Sequence, residues 1–383
     1  MDAKKPDMIL KTLNAAGFEA YYVGGCVRDR LLGRRVHDWD ITTSALPQQV
    51  ISLFSHCIPT GIRHGTVTVL LDGAQAEVTT FRAEGAYLDG RHPSEVRFVP
   101  RLEEDLSRRD FTVNAMAMDL SGRVTDLFGG QQDLRAGILR CVGDAEARFR
   151  EDALRMLRGL RFASRFGFSI APETAAAIHA LRGRLEAVSR ERLRKELSGL
   201  LTGRGAARIL TAFSDVACVL IPELADCIGF VQYNPHHTMD VWQHTLHVLD
   251  NIEPEEPMRL AALLHDIAKP EVFYFDKNLI GHFPGHAVAG AAMAETILKR
   301  LRYDAATVRE VTELVRGHML LLPASGFWRR RGRRKREGSY GCTAPTAWER
   351  ERKKKRRWRR RCARRRRWWK RFCKRRAAFP CGR

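Results

Sequence analysis

Two carboxylates at i and i+2, Asp38 and Asp40 in His37-Asp38-Trp39-Asp40, are the residues best suited to chemistry. On a strand this spacing puts both on one face. Two hard oxygen ligands on one face suit Mg2+, which is usually held by one or two carboxylates plus substrate phosphates. Just upstream stands Gly24-Gly25-Cys26-Val27-Arg28-Asp29. A Gly-Gly turn after a strand lets backbone N–H groups approach a triphosphate, with a helix N-terminus behind it. Arg28 adds a charged donor. Each piece alone has an ordinary explanation, a structural turn or a solvated strand edge. Together in so short a stretch they point to nucleotide phosphates. Glu77, in Ala76-Glu77-Val78-Thr79-Thr80, either completes the metal site or is an exposed strand residue.

Arginines form the next groups. Arg108-Arg109-Asp110-Phe111-Thr112-Val113-Asn114 is too polar for a simple core helix, although a surface ion pair would also explain it. In Glu151-Asp152-Ala153-Leu154-Arg155-Met156-Leu157-Arg158-Gly159-Leu160-Arg161-Phe162, arginines recur every third residue beside a stripe of leucines. On a helix this predicts a drifting basic stripe and an apolar packing stripe. A solvated helix face is the plain reading. The functional one rests on Asp152 and Arg155. A carboxylate only accepts hydrogen bonds and a guanidinium only donates them. Cytosine and adenine both show an amino donor beside a ring-nitrogen acceptor, whereas uracil and guanine show the reverse. An Asp/Arg pair one helical turn apart could accept C and A and reject U and G, at about 1–3 kcal/mol per misplaced buried group. Arg158 and Arg161 could neutralise triphosphate or RNA backbone.

These residues need a mixed α/β frame. Met8, Ile9 and Leu13 have helical spacing. Ala20 to Val23, Trp39 to Thr43, Thr66 to Leu71 and Ala76 to Phe81 read as strands bounded by Gly and Pro. From Asp144 the pattern becomes helical, with segments from Ala145 to Phe166, Pro172 to Arg184 and Arg190 to Leu201, and again from Met239 to His318. The expected organisation is a head over 1–143, a helical neck and body over 144–225, a helical histidine-rich region over 226–320 and a tail over 321–383.

Composition sharpens this division. The chain has 383 residues, 44% of them apolar, and a net charge of +22. From Phe327 onward there are 27 basic and 3 acidic residues, which leaves 39 and 41 for the rest. The basic excess that would suggest nucleic-acid binding therefore belongs to the tail. That tail also holds five of the seven tryptophans and four of the nine cysteines. It reads either as a basic RNA-binding arm with stacking tryptophans or as a frame-shifted or otherwise non-native terminus. The abrupt break within a helical pattern favours the second. The remaining cysteines form no CxxC pair. With no apolar leader in MDAKKPDM and no run of about 18 apolar residues, a cytoplasmic protein without a membrane span is expected.

The motifs GGCVRDRLLG, HDWDITT, EVTTFR, RRDFTVNAMA, DLFGGQQDL and EDALRMLRGLRF, in this order, resemble the bacterial CCA-adding tRNA nucleotidyltransferase and poly(A) polymerase family. The resemblance covers about Tyr21 to Leu201. It implies an α+β chain with a polymerase-β-like head followed by helical regions. It implies template-independent addition of C and A to the 3′ end of tRNA, with Mg2+ as cofactor and CTP and ATP as substrates, and no obligate protein partner is evident. By motif position it implies Gly25, Arg28 and Arg109 at the nucleotide, Asp38 and Asp40 as Mg2+ ligands, and Asp152, Arg155, Arg158 and Arg161 as the base- and phosphate-reading set.

His244, His265-Asp266, His282, His286 and His318 remain. Imidazole and carboxylate at such positions suit a second divalent transition metal, and their order resembles HD-domain phosphohydrolases. That pattern ordinarily ends in a later Asp, and Asp276 and Asp304 have no fitting context, so an incomplete site built on His244, His265 and Asp266 is expected, either a residual metal site or a structural relic. Three other functions stay open: a poly(A) polymerase, an HD-type metal-dependent phosphohydrolase, and an RNA-binding protein driven by the tail.

Overall fold

A computed structural model describes residues 4–71, 73–84, 96–234 and 238–319; the Arg/Trp-rich segment 321–383 lies outside the described residues. Strands β1 (Ala20–Val23), β2 (Trp39–Thr43), β3 (Cys57–Gly61), β4 (Thr66–Leu71) and β5 (Ala74–Thr80) belong to one mixed sheet with β8 (Met116–Met118) and β9 (Val124–Asp126). Its order is β3-β4-β5-β2-β1-β8-β9, and a hairpin of β6 (Arg82–Glu84) and β7 (Val96–Phe98) stands beside it. β2 runs parallel to β5 and antiparallel to β1. The apolar residues Tyr22, Ile41, Val67, Val69 and Val78 are each buried. Helices α1 (Lys4–Ala15) and α3 (Pro47–Leu53) pack against β4 and β5, and α2 (Gly25–Leu31) packs against β1, β2 and β8. The helix α4 (Leu102–Ser107) covers a smaller apolar cluster with Phe81 and Val99, and α5 (Gly130–Ala136) follows β9.

The rest is helical apart from two short two-stranded pairings, Ile138–Leu139 with Ser169–Ile170 and Tyr274–Phe275 with Gly281–His282: α6 (Ala145–Glu151), α7 (Leu154–Phe166), α8 (Pro172–Leu181), α9 (Arg190–Leu201), α10 (Ala206–Ala212), α11 (Ser214–Leu220), α12 (Val241–Asp250), α13 (Glu256–Leu264), α14 (His286–Arg300) and α15 (Ala305–Gly317). The expected α+β architecture is what the chain adopts. The three strands Ala20–Val23, Trp39–Thr43 and Thr66–Leu71 fall where their alternation and β-branched residues put them. The short strands β3, β8 and β9 carried no such signal.

One expectation needs correction. The segment from Ala145 to Phe166 is not a single helix. Asp152 has an extended backbone (φ −140°, ψ 105°) between α6 and α7, and its carboxylate caps the Leu154 N–H at 3.0 Å. A side chain that satisfies an orphan N–H at a helix start stabilises the break. Asp152 and Arg155 are therefore not successive residues on one helix face. Beyond the break α7 is amphipathic as predicted, with Leu154, Leu157 and Leu160 buried and packed towards α9.

Candidate active site

The parallel register places Asp40 opposite Glu77 and Trp39 opposite Ala76. Because side chains alternate across a sheet, Trp39, Ile41, Ala76 and Val78 enter the core, while Asp38, Asp40 and Glu77 open onto one cavity of about 740 Å³. Burial pushes the Asp40 carboxyl up to about 6; Arg109 opposes this, and Glu77 and Asp38 add to it. Among the described residues no hydrogen-bond donor reaches that carboxylate. A partly buried, under-donated acid with two further carboxylates beside it fits a hard dication.

The arginines are each aimed by an acid. Arg109 donates to Asp105 at 3.1 Å. Asp105 is fully buried and also accepts from Arg108 at 2.8 Å and from the Thr42 hydroxyl at 3.2 Å. Burial alone would raise Asp105, yet the two guanidiniums hold it below the usual carboxylate range. Arg28 donates to Asn114 at 2.6 Å and pairs with Asp29 at 2.9 Å. Asn114 in turn donates to Asp110 at 3.1 Å, whose other oxygen takes Arg158 at 2.8 Å. Arg161 pairs with Glu196 at 2.5 Å. Its stem passes over Gly199, where a Cβ would come within 2.4 Å of the Arg161 chain, so the small residue on α9 admits it. Gly24 has φ 69°, and a Cβ there would lie 3.1 Å from Arg109 and 3.6 Å from Asp40. The left-handed backbone requires glycine, and a Cβ there would also press on the Arg109 guanidinium.

The cavity thus brings together Gly25, Arg28, Asp38, Asp40, Glu77, Arg109, Arg158 and Arg161. It does not bring in Asp152 or Arg155. Asp152 accepts from Arg192 at 2.7 Å. Arg155 is buried, pairs with Glu151 at 2.6 Å and donates to the Arg108 carbonyl at 3.2 Å. Sequence reading missed Asp110, Asn114, Phe162 and Lys195, which line the cavity. The polar RRDFTVN run contained the first two, but only the tertiary fold shows what they orient.

A second cluster lies among the C-terminal helices. His244 on α12, His265 and Asp266 after α13, His286 at the start of α14 and His318 after α15 are all buried. One Asp266 oxygen lies 3.4 Å from His244 and 3.1 Å from His265; the other lies 3.5 Å from both His286 and His318. The Nδ1 atoms of His265, His286 and His318 each lie within 2.6–2.9 Å of a backbone carbonyl. If each donates there, its Nε2 is a bare acceptor. Yet the Nε2 atoms of His265 and His244 face each other at 3.2 Å, as do those of His286 and His318. Ring nitrogens gathered in two pairs, one at each oxygen of Asp266, fit two cations with Asp266 between them. The cluster is therefore larger than expected: His286 and His318 complete it. Asp304 instead caps α15, and Asp276 pairs with His282 at 2.9 Å. Lys269 also pairs with Asp266, at 2.9 Å.

Comparison with known proteins follows this division. Residues 20–140 match the model of the poly A polymerase head domain, 167–227 that of a probable RNA and SrmB-binding site of polymerase A, and 236–356 that of the HD domain. The CCA-adding enzyme of Lactobacillus helveticus is 53% identical over 207 residues, 54% of this chain and 52% of that one. That of Oceanobacillus iheyensis is 50% identical over 212 residues, 55% of this chain and 53% of its own. The chain thus spans about half the length of the curated relatives it matches. The crystal structure of the Bacillus stearothermophilus CCA-adding enzyme in complex with CTP superposes with a TM-score of 0.59 and 34% identity, covering 84% of this chain and 80% of that one. Among the described residues no helix is long and apolar enough to cross a membrane. Sequence, motif order and fold agree, and the chain belongs to the CCA-adding enzyme and poly(A) polymerase family.

Proposed function

We propose that this protein adds C and A nucleotides to the 3′ end of tRNA without a template, in the cytoplasm. The observation that carries the reading is the single cavity in which Asp38, Asp40 and Glu77 face Arg28, Arg109, Arg158 and Arg161. The names of the relatives and the CTP bound to the Bacillus stearothermophilus enzyme support the same substrates.

In this reading Asp38 and Asp40, with Glu77 beside them, hold Mg2+. Bound there, the ion supplies acidification of the attacking hydroxyl and neutralisation of charge at the phosphates. The triphosphate approaches the backbone at Gly24 and Gly25, and the four arginines neutralise it. The RNA 3′-hydroxyl attacks the α-phosphate in line, and pyrophosphate leaves as its bond to that phosphorus breaks. The acids behind the arginines fix their orientation before substrate arrives, so little reorganisation is needed. Base choice by Asp152 and Arg155 requires Asp152 to leave Arg192 and Arg155 to leave Glu151.

The test is incubation with tRNA lacking its 3′ end and either CTP alone or CTP with ATP. Incorporation of C followed by A is expected. Addition of A alone, in long runs on unrelated RNA, would instead identify a poly(A) polymerase. The buried His/Asp cluster favours a second activity, hydrolysis of a phosphoester with a divalent transition metal. Metal analysis after reconstitution with Ni2+ or Mn2+ checks it, and a protein that retains neither ion excludes that activity.

A further inference from the structure

Phe162 stands where the head meets the helical region. It lines the cavity yet is only 6% exposed. Three guanidiniums surround its ring, with Arg161 at 4.4 Å, Arg28 at 5.3 Å and Arg158 at 5.5 Å from the centroid. Arg28 comes from α2, and the other two from α7. The ring is held edge-on against Phe111 at 6.0 Å and stacked on Phe166 at 6.1 Å, and Phe166 also takes Arg28 at 4.5 Å.

Three like charges crowded at one point repel one another. Each has its own carboxylate partner, Asp29, Asp110 or Glu196. The negative face of the one ring adds an attraction that all three cations share, beyond what each separate acid supplies. An aliphatic side chain would fill the same space without that field. We propose that Phe162 is a positioning residue for the triphosphate, and that it acts through the electrostatics of its ring, gathering Arg28, Arg158 and Arg161 onto one wall of the cavity. The proposal rests on the reading of the cavity as a nucleoside triphosphate site.

Fluorination separates ring charge from ring shape. Phe162 in the full chain is replaced by its 4-fluoro and 3,4,5-trifluoro analogues, and by leucine in Phe162→Leu. MgCTP and inorganic triphosphate are titrated calorimetrically, beside a thermal melt of each variant. Affinity should fall stepwise with fluorine content, reaching about tenfold for the trifluoro ring. The fluorinated proteins should melt as the parent does, and phosphate-free cytidine should show no trend. Equal triphosphate affinity across the fluorine series overturns the role of Phe162 while leaving the triphosphate reading intact. A parent protein that binds neither CTP nor triphosphate removes that reading, and this proposal with it. Loss of affinity accompanied by an equal loss for cytidine assigns Phe162 to packing alone and also overturns the proposal.

Discussion

The carboxylate trio of the head and the histidine cluster of the C-terminal helices solve the problem of gathering ligand atoms in different ways. In the head, Asp40 and Glu77 sit opposite each other on neighbouring strands, with Asp38 just before the first of them, and the sheet ladder sets the Asp40–Glu77 spacing. They open onto a polar cavity ringed by arginines. In the helical region, four buried histidines from four helices and their ends converge on Asp266. The first arrangement leaves room for a large anionic substrate. The second is closed and rich in nitrogen, which suits softer cations. It also makes Asp266 a structural keystone, since burial alone would raise its carboxyl but His265 and Lys269 hold it well below the usual range.

The largest expected effect breaks the comparison at the head. Asp40→Ala should lower CTP incorporation by on the order of 10³ or more, with a melting midpoint no lower than the parent's, because it removes a carboxylate crowded by two others. Near-normal single-turnover rates in that variant would end the metal-site assignment. Asp266→Ala should show the reverse pattern. Metal-free protein should lose about 3–5 kcal/mol of stability, since Lys269 and the surrounding imidazoles are left without their acid. Chemical denaturation measures this, and a loss below about 1 kcal/mol would mean the cluster is not built around that carboxylate.

How much of each region could be read from sequence follows from the same contrast. The i, i+2 spacing of Asp38 and Asp40 is local and survives in the fold, as does the glycine turn at Gly24. The pairing of Asp40 with Glu77 depends on register across intervening elements, so Glu77 could be named but not placed. The histidine cluster is long-range: His244 and His318 both reach Asp266 only because α12, α13, α14 and α15 pack together, so spacing along the chain does not show that histidines stand where a later acid is expected. The helix break at Asp152 escapes the periodic pattern for a local reason. A residue type that prefers helix caps was counted within a helix, and its capping bond to Leu154 breaks the segment there.

Two smaller effects sharpen the boundary between the regions. Asp152→Ala should reduce the preference for CTP over UTP by about tenfold, the size of one lost buried polar contact, measured by competition between the two nucleotides. An unchanged ratio would confine Asp152 to its capping and Arg192 contacts. The Ser198 hydroxyl lies 2.9 Å from that of Tyr303 and joins α9 to the C-terminal helices. Ser198→Ala should cost about 1 kcal/mol of stability and leave both metal content and nucleotide incorporation as they were. A change in either would show that the two regions communicate through α9.

The Asp40–Glu77 pairing has a consequence for how such a chain can vary in length. Between β2 and β5 the polypeptide passes through α3, the β3–β4 hairpin and the turns that join them. Insertions in those turns lengthen a loop at little entropic expense. An insertion or deletion of a single residue inside either strand is another matter. It reverses the facing of every side chain beyond it, which would turn Val78 towards the triphosphate and drive Glu77 into the apolar core. Parity along these strands, more than their composition, is what an engineered or natural variant of this head must preserve.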